Sequence, residues 1–149
     1  FNIQNNNGET GFIKACIHHH KLALKMLEKN NIDFNVQNNN GDTGFIWACK
    51  YQPKLALKIL ERENIDLNIQ NNLGHTGFMF ACICQPELII PLLENNKIDT
   101  TLKDNDGYTA WDLAKGKKRE CFQIYKSYIE NQKLSNNISN KTSKSKSLL

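Results

Sequence analysis

A 12-residue pattern that recurs every 33 residues is the feature of this sequence that most constrains its fold. It reads NNNGETGFIKAC from Asn5, NNNGDTGFIWAC from Asn38 and NNLGHTGFMFAC from Asn71, and a weaker copy, DNDGYTAWDLAK, begins at Asp104. Repetition at this period is typical of stacked repeat units, in which each unit packs only against its neighbours. We therefore expect an elongated array rather than a domain built around one closed core.

Each copy of the pattern predicts a polar turn followed by two helices. Asn38 and Gly41 match the first and fourth positions of a type I turn, and Thr43 is a residue type that caps helix N-termini. A short apolar run follows, and the second helix begins at Pro53, where the missing N–H costs nothing. Pro91 falls inside the second helix of the third unit, which predicts a kink or a late start there.

The period divides the chain into four units and a tail. We place the units at residues 1–33, 34–66, 67–99 and 100–130, and we interpret the diverged fourth unit as a C-terminal cap. Residues 131–149 are rich in Asn, Ser, Lys and Thr, and they offer too little apolar surface to offset the entropy of ordering. This basic tail is therefore expected to be mobile.

The repeated motif resembles that of the ankyrin repeat family. The six residues from Thr10, TGFIKA, and their counterparts from Thr43 and Thr76 are similar to the family's Thr-Pro-Leu-His-x-Ala. The resemblance extends from Phe1 to about residue 130 and implies an all-α helix-turn-helix solenoid with β-turn fingers. Gly replaces the family's Pro, Phe replaces Leu, and Ile or Met replaces His, so the hydrogen bonds of that His must be remade or lost.

The resemblance also implies a function, a non-enzymatic module that binds another protein through turn tips and the concave face of the first helices. Carried over to this sequence, the contact positions are Gln37, Asn39, Asn40, Asp42, Lys50, Tyr51, Asn72, Leu73, His75, Ile83, Cys84, Asn105, Asp106, Tyr108 and Lys117. We expect the apolar and aromatic members, Tyr51, Leu73, Ile83 and Tyr108, to contribute most of the binding energy. We expect a monomer.

Two other functions stay open. The array could recruit substrates for a larger enzyme or a ubiquitin ligase. Alternatively, Lys115, Lys117, Lys118 and Arg119 could bind nucleic acid or another acidic partner, since residues 100–149 hold most of the excess positive charge. Nucleic acid is the less favoured partner, because no aromatic residues alternate with these charges and a terminal repeat needs a polar outer face in any case.

The sequence offers little for catalysis or for a cofactor. It contains no Gly-rich phosphate loop, no paired carboxylates at a plausible cleft, and no Ser/His/Asp set on separate elements. We therefore predict no enzymatic activity, no cofactor and no metal. The three histidines at 18–20 align with residues 51–53 of the next unit, which indicates a variable, solvated loop between helices rather than metal ligands.

Two repeated positions of the first helix are predicted to pack between units. One holds Cys16, Cys49 and Cys82, which we interpret as small buried hydrophobic residues in a reduced compartment. The other holds Trp47, Phe80 and Leu113, where core packing is favoured over a ligand cage. Asparagine is abundant throughout, and we interpret that abundance as coding bias.

The location is expected to be intracellular. No run of 18 apolar residues predicts a transmembrane helix, and no secretory leader is visible. The chain begins at Phe1 rather than Met, so a leader or further repeats could precede it.

Overall fold

Four helical hairpins follow one another along the chain and stack side by side. The structure is a computed structural model that describes residues 2–117 and 119–146, with side-chain surroundings for 2–116 and 120–139. Within the described residues the helices are α1 (Gly11–His18), α2 (His20–Leu27), α3 (Gly44–Tyr51), α4 (Pro53–Leu60), α5 (Gly77–Cys84), α6 (Pro86–Glu94), α7 (Ala110–Lys117) and α8 (Arg119–Lys146).

The helices form two layers. The first helices of the units, α1, α3, α5 and α7, pack against one another in chain order, and the second helices, α2, α4, α6 and α8, do the same behind them. The all-α solenoid that the 33-residue period predicts is thereby confirmed. The apolar core runs continuously between the layers through all four units.

The turn before each first helix forms as the sequence predicts. In the second unit, the Gly41 N–H donates to the Asn38 carbonyl at 2.8 Å, and the Asn38 N–H donates to the Asp42 carbonyl at 3.0 Å. Gly41 has a φ of 78°, a left-handed conformation that favours glycine. The Thr43 hydroxyl then accepts a hydrogen bond from the Ile46 N–H at 3.2 Å, which confirms the predicted helix cap.

The replacement of the family's His has two outcomes. Ile13 and Ile46 are buried and take their place in the core. In the third unit, the Met79 sulfur accepts a hydrogen bond from the Thr76 N–H at 3.5 Å. One of the expected bonds is thus remade there by a different side chain.

The two other departures from the family's motif compensate each other across the interface between units. A Cβ atom added to Gly44 would lie 2.5 Å from the ring of Phe12, and one added to Gly77 would lie 2.7 Å from the ring of Phe45. The larger Phe in place of Leu therefore fits only because the next unit carries Gly in place of Pro. Phe12 and Phe45 are both buried.

The late start predicted for α6 is wrong. The helix begins at Pro86, as α4 begins at Pro53, and Pro91 lies within it. Leu88, Ile89 and Leu92 are buried, and packing of this face holds the first turn helical despite the hydrogen bond that Pro91 cannot make. The kink stays a prediction.

The last helix differs from expectation in its length. α8 runs for 28 residues, so the described part of the expected tail, residues 131–146, continues a helix rather than following one. Cys121 and Tyr125 anchor its first turns in the core, and a formed helix extends more easily than a new one starts. The side chains of residues 131–139 are exposed. The mobility of this segment and the domain limit at residue 130 stay predictions.

Candidate partner-binding surface

The predicted contact residues fall into groups of different exposure. Nine are exposed: Gln37, Asn39, Asn40, Tyr51, Asn72, Leu73, Asn105, Asp106 and Tyr108. Four are partly buried: Lys50, His75, Ile83 and Cys84. Asp42 is buried, and the side chain of Lys117 lies outside the described residues.

Four residues on α3 and α5 form a compact cluster that we call the helix patch: Trp47, Lys50, Tyr51 and Phe80. Trp47, Lys50 and Tyr51 share one face of α3 because they are spaced i, i+3 and i+4. The Lys50 ammonium lies over three rings, at 5.7 Å from the Trp47 centroid, 5.3 Å from that of Tyr51 and 4.8 Å from that of Phe80. Such contacts each contribute roughly 0.5–1 kcal/mol at exposed sites. The patch therefore holds a positive charge in a defined place beside exposed aromatic surface.

The prediction that the repeated position of Trp47 and Phe80 packs in the core holds for only one of these two rings. Phe80 is buried, which confirms the prediction for that ring. Trp47 is half-buried and stands 5.3 Å from Tyr51, centroid to centroid, at an interplanar angle of 30°. Its indole nitrogen is buried and has no hydrogen-bond partner among the described residues.

An imidazole connects the helix patch to the turns. The ring of His75 meets that of Phe80 edge to face at 5.1 Å, and its Nε2 lies 3.3 Å from a carboxylate oxygen of Asp104. The other Asp104 oxygen accepts hydrogen bonds from the backbone N–H groups of Asp106 and Tyr108. His75 is thus partly engaged within the molecule.

The corresponding pair one unit earlier engages Asp42, a member of the predicted contact set, within the molecule. The Asn71 side-chain amide donates to the Asp42 carboxylate at 2.8 Å, in the place where His75 meets Asp104 in the next pair of units. Because Asp42 is buried and already bonded, it is a structural residue between adjacent turns.

Asparagine side chains join the turns in a row that we call the Asn ladder: Asn39, Asn72 and Asn105. Each side-chain amide donates to the carbonyl of the residue 33 positions earlier, at 2.9, 2.9 and 2.8 Å respectively. The backbone N–H of each also donates to a carbonyl of the preceding turn, at 3.0 to 3.1 Å. The interpretation of the asparagines as coding bias is therefore wrong for these positions.

Glutamine and asparagine side chains just before the turns bond in the opposite direction. Gln37 Nε2 donates to the carbonyls of Gly41, at 2.7 Å, and of Gln70 in the next unit, at 3.0 Å. Asn35 Oδ1 accepts from the Asp66 N–H at 2.8 Å, and its amide donates to the Asn64 carbonyl at 3.4 Å. The exact recurrence of Asn and Gln at 33-residue spacing was the signal that these residues have a shared structural role.

Three apolar side chains of the predicted set are left facing solvent. Tyr51, Leu73 and Tyr108 are each more than half exposed. Ile83 instead packs against the core. The Cys84 sulfur lies 3.1 Å from the Phe80 carbonyl. Of the four predicted anchors, the structure therefore exposes Tyr51, Leu73 and Tyr108.

Burial and local hydrogen bonds set the charge state of several groups near this surface. Burial raises the pKa of the Cys49 thiol well above its ordinary value, with neighbouring thiols adding to the effect. The Thr109 hydroxyl and N–H both donate to Asp112 and hold the pKa of that carboxyl below its usual range. Cys16, Cys49 and Cys82 are buried, as predicted.

The other candidate sites from the sequence are less defined. The three histidines at 18–20 are exposed, and the described residues contain no group of three His, Cys, Asp or Glu side chains placed to share a metal ion. In the basic cluster Lys115 is exposed, whereas the side chains of Lys117, Lys118 and Arg119 lie outside the described residues. No helix in the described ranges is long and apolar enough to span a bilayer.

Comparison with known proteins supports one family. No protein-family model matches the sequence, and no curated protein matches it. The solved structure described as "Crystal Structure of EF0377 an Ankyrin Repeat Protein" superposes with a TM-score of 0.73 at 26% sequence identity, and the match covers 83% of this chain and 66% of that chain. This chain thus spans just under two thirds of the length of that protein. Together with the 33-residue period and the stacked hairpins, the likeness supports the resemblance to the ankyrin repeat family.

Proposed function

We propose that this chain is an interaction module that binds another protein through its helix patch and the exposed apolar side chains of its turns. An ankyrin repeat fold suggests protein–protein interaction, but a fold shared by many proteins does not identify a partner. The observation that carries the proposal is the Lys50 ammonium placed among three aromatic rings, with Tyr51 exposed beside it.

The helix patch has the properties of a binding anchor. Aromatic residues dominate the energy of protein interfaces, and Tyr51 offers a large exposed surface whose orientation is fixed by Trp47. Because the rings already hold Lys50 in place, that side chain loses little further conformational entropy when a partner binds.

The charge of Lys50 indicates what the partner presents. Among the described residues, Lys50 forms no ion pair with a carboxylate. A partner segment with an acidic side chain next to an apolar one would form an ion pair with the Lys50 ammonium and cover the exposed ring of Tyr51. The turn tips add Leu73 and Tyr108 as further apolar contacts.

The test uses the chain with Tyr51→Ala and Tyr108→Ala combined. Proteins that co-purify with the unmodified chain from its own cells are identified, and binding of the strongest is measured by titration calorimetry. We expect the double variant to raise Kd at least about tenfold, since anchors of this kind each contribute 1 kcal/mol or more. The melting temperature should change little, because both side chains are exposed.

Leu57→Ala is the matched control, since Leu57 is an exposed apolar residue on α4, in the other helical layer. It should bind like the unmodified chain. Equal binding by the double variant, or an equal loss in the control, would contradict the proposal. Recruitment of substrates for a larger enzyme would use the same surface, and the identity of the co-purified protein distinguishes the two. The monomeric state and the intracellular location belong to this proposal.

A further inference from the structure

A groove of about 500 Å³ lies between α2 and α4, in the helical layer that does not carry the helix patch. Leu24, Pro53 and Leu55 contribute its apolar lining. Leu55 is 2% exposed and Leu24 is 37% exposed, so Leu55 lies deeper in the groove and Leu24 lies nearer its mouth. The volume is within the range of known ligand sites. We call this feature the α2/α4 groove, and its apolar lining is open to a side chain from outside.

Two lysines contribute charge to the same groove. Lys21 and Lys54 line it and are exposed, and they occupy one repeated position of the second helices. Among the described residues, neither lysine forms an ion pair, and no acidic side chain lines the groove. Both ammonium groups are therefore available to an anionic group, while the aliphatic stems of the two side chains extend the apolar lining.

The next pair of second helices has the apolar residues but not the same charges. Leu24, Leu57 and Ile90 occupy one repeated position, so an apolar side chain is kept there in three units. At the position of the lysines, however, α6 carries Glu87, which is exposed. The pair between α4 and α6 is thus Lys54 with Glu87, one charge of each sign. Since the stacking of the helices accepts either sign, it does not explain the two lysines of the α2/α4 groove.

We propose that the α2/α4 groove is a second docking site, separate from the helix patch, which binds a short amphipathic helix of another protein with acidic residues at one end. The apolar side chains of that helix pack against Leu24 and Leu55, and its carboxylates pair with Lys21 and Lys54. α2 and α4 have eight residues each, or a length of about 12 Å. The groove therefore suits about two turns of a partner helix, with apolar residues spaced i and i+4.

An anionic lipid bilayer fits this surface less well than a peptide does. The most apolar part of the groove, at Leu55, is recessed between two helices, so a single side chain reaches it more easily than a flat bilayer does. Glu28, Glu61 and Glu87 are exposed in the same helical layer, and a negatively charged membrane would repel them. The charges and the shape both favour a peptide segment.

The test titrates the unmodified chain with two synthetic peptides, EEDLAQALQALA and KKKLAQALQALA, each acetylated and amidated. They share their leucines and differ in the sign of their charged end. Fluorescence anisotropy at about 0.15 M salt, which screens distant charges, gives the Kd, and amide chemical shifts from NMR locate the bound peptide. We expect the acidic peptide to bind at least about tenfold more tightly, with shift changes confined to α2 and α4.

Lys21→Glu combined with Lys54→Glu should reverse the preference, so that the basic peptide binds more tightly. Lys14→Glu combined with Lys29→Glu is the matched control, because it changes the net charge equally at two exposed lysines that do not line the groove. The control should bind like the unmodified chain. Leu24→Ser should weaken the acidic peptide at least about fivefold, since it removes part of the apolar lining.

Equal affinity for the two peptides, no reversal in the lysine variant, or an equal change in the control would overturn the proposal. So would shift changes on α3 and α5, which would place the peptide on the helix patch, or no binding of the acidic peptide at about 1 mM. Sedimentation with phosphatidylserine vesicles is the last comparison. Vesicle binding that Lys21→Glu with Lys54→Glu abolishes would assign the lysines to a membrane instead. Every variant leaves the helix patch unchanged, so this proposal can fail while the proposed function holds.

Discussion

The helices and the turns of this array hold neighbouring units together by different physical means. Between helices, contact is apolar, as where the Phe12 ring covers Gly44, and its strength scales with buried area at about 25 cal/mol per Å². Between turns, contact is made by amide hydrogen bonds such as that from Asn72 to the Asn39 carbonyl, each worth about 0.5–1.5 kcal/mol net.

The difference teaches how stability and register are divided in this chain. Apolar burial has no preferred direction, and Leu55 and Leu88 are the same residue in the same position, so burial alone discriminates weakly between alignments. A hydrogen bond requires its donor and acceptor within a narrow distance and angle. We infer that the helices supply most of the stability and that the turns fix the alignment of one unit on the next.

The largest effect should come from the helices. Phe45→Ala removes a buried ring that lies against Gly77 of the next unit. We expect the free energy of unfolding to fall by about 3–5 kcal/mol, because the cavity cannot collapse completely. Urea denaturation followed by circular dichroism measures the change.

Gly77→Ala is the companion experiment, since a Cβ there would lie 2.7 Å from the Phe45 ring. It should destabilise the chain, and Phe45→Leu in the same chain should relieve most of that loss. If Gly77→Ala is equally harmful with either residue at position 45, the two substitutions are not a matched pair.

An intermediate effect should come from the turns. Asn71→Asp keeps the acceptor for the N–H groups of Leu73 and His75 but loses the donation to the buried Asp42 carboxylate and opposes two negative charges. We expect a loss of about 1–3 kcal/mol, the usual range for an unsatisfied buried group. Urea denaturation at pH 6 provides the measurement.

Adding Asp42→His to Asn71→Asp should restore part of this loss. The double variant copies the pair that His75 and Asp104 form one unit later. A double variant no more stable than Asn71→Asp alone would show that the two pairs are not equivalent.

The smallest effect should come from an exposed cap. Because the folded-state pKa of Asp112 is lowered, chiefly by the Thr109 hydrogen bonds, its carboxylate stabilises the fold above its ordinary pKa, and that contribution is lost as the pH falls through the lowered value. Asp112→Asn should therefore be slightly less stable than the unmodified chain at pH 7, with the difference shrinking below about pH 4. Thermal melts at the two pH values compare them.

Asp106→Asn serves as the control, because Asp106 is exposed and its carboxylate accepts no hydrogen bond among the described residues. It should show no pH-dependent difference of this kind. A gap between Asp112→Asn and the unmodified chain that is the same at both pH values would remove the role assigned to Thr109.

The sequence predicted the fold because its strongest signals are local. The turn glycines, the threonine caps and the start of α4 at Pro53 depend on residues a few positions apart, and the period supplies their arrangement. The start of α6 was missed because packing of Leu88 and Leu92 outweighs the local effect of Pro91. The length of α8 was missed because composition describes an isolated segment, whereas this segment continues a helix that is already formed.

The candidate surface was harder to predict, because it depends on contacts between units. Gln37 and Asn39 are predicted partner contacts, and the structure shows that their side chains also bond the adjacent turns. Their recurrence at 33-residue spacing was visible, but their partners are carbonyls, which have no signature in a sequence. The helix patch includes Phe80 from another helix, so it too can be recognised only once the units are stacked.

The pairing of each phenylalanine with the glycine of the next unit bears on how such a chain could gain or lose length by recombination. If the block 34–66 were excised, Phe12 would meet Gly77, and Asn72 would face the carbonyl of Asn6, so each new junction would be of a kind already in use. Whole blocks can therefore be inserted or removed as interchangeable cassettes, whereas a change of another length disrupts the unit in which it falls and the junctions of that unit with its neighbours.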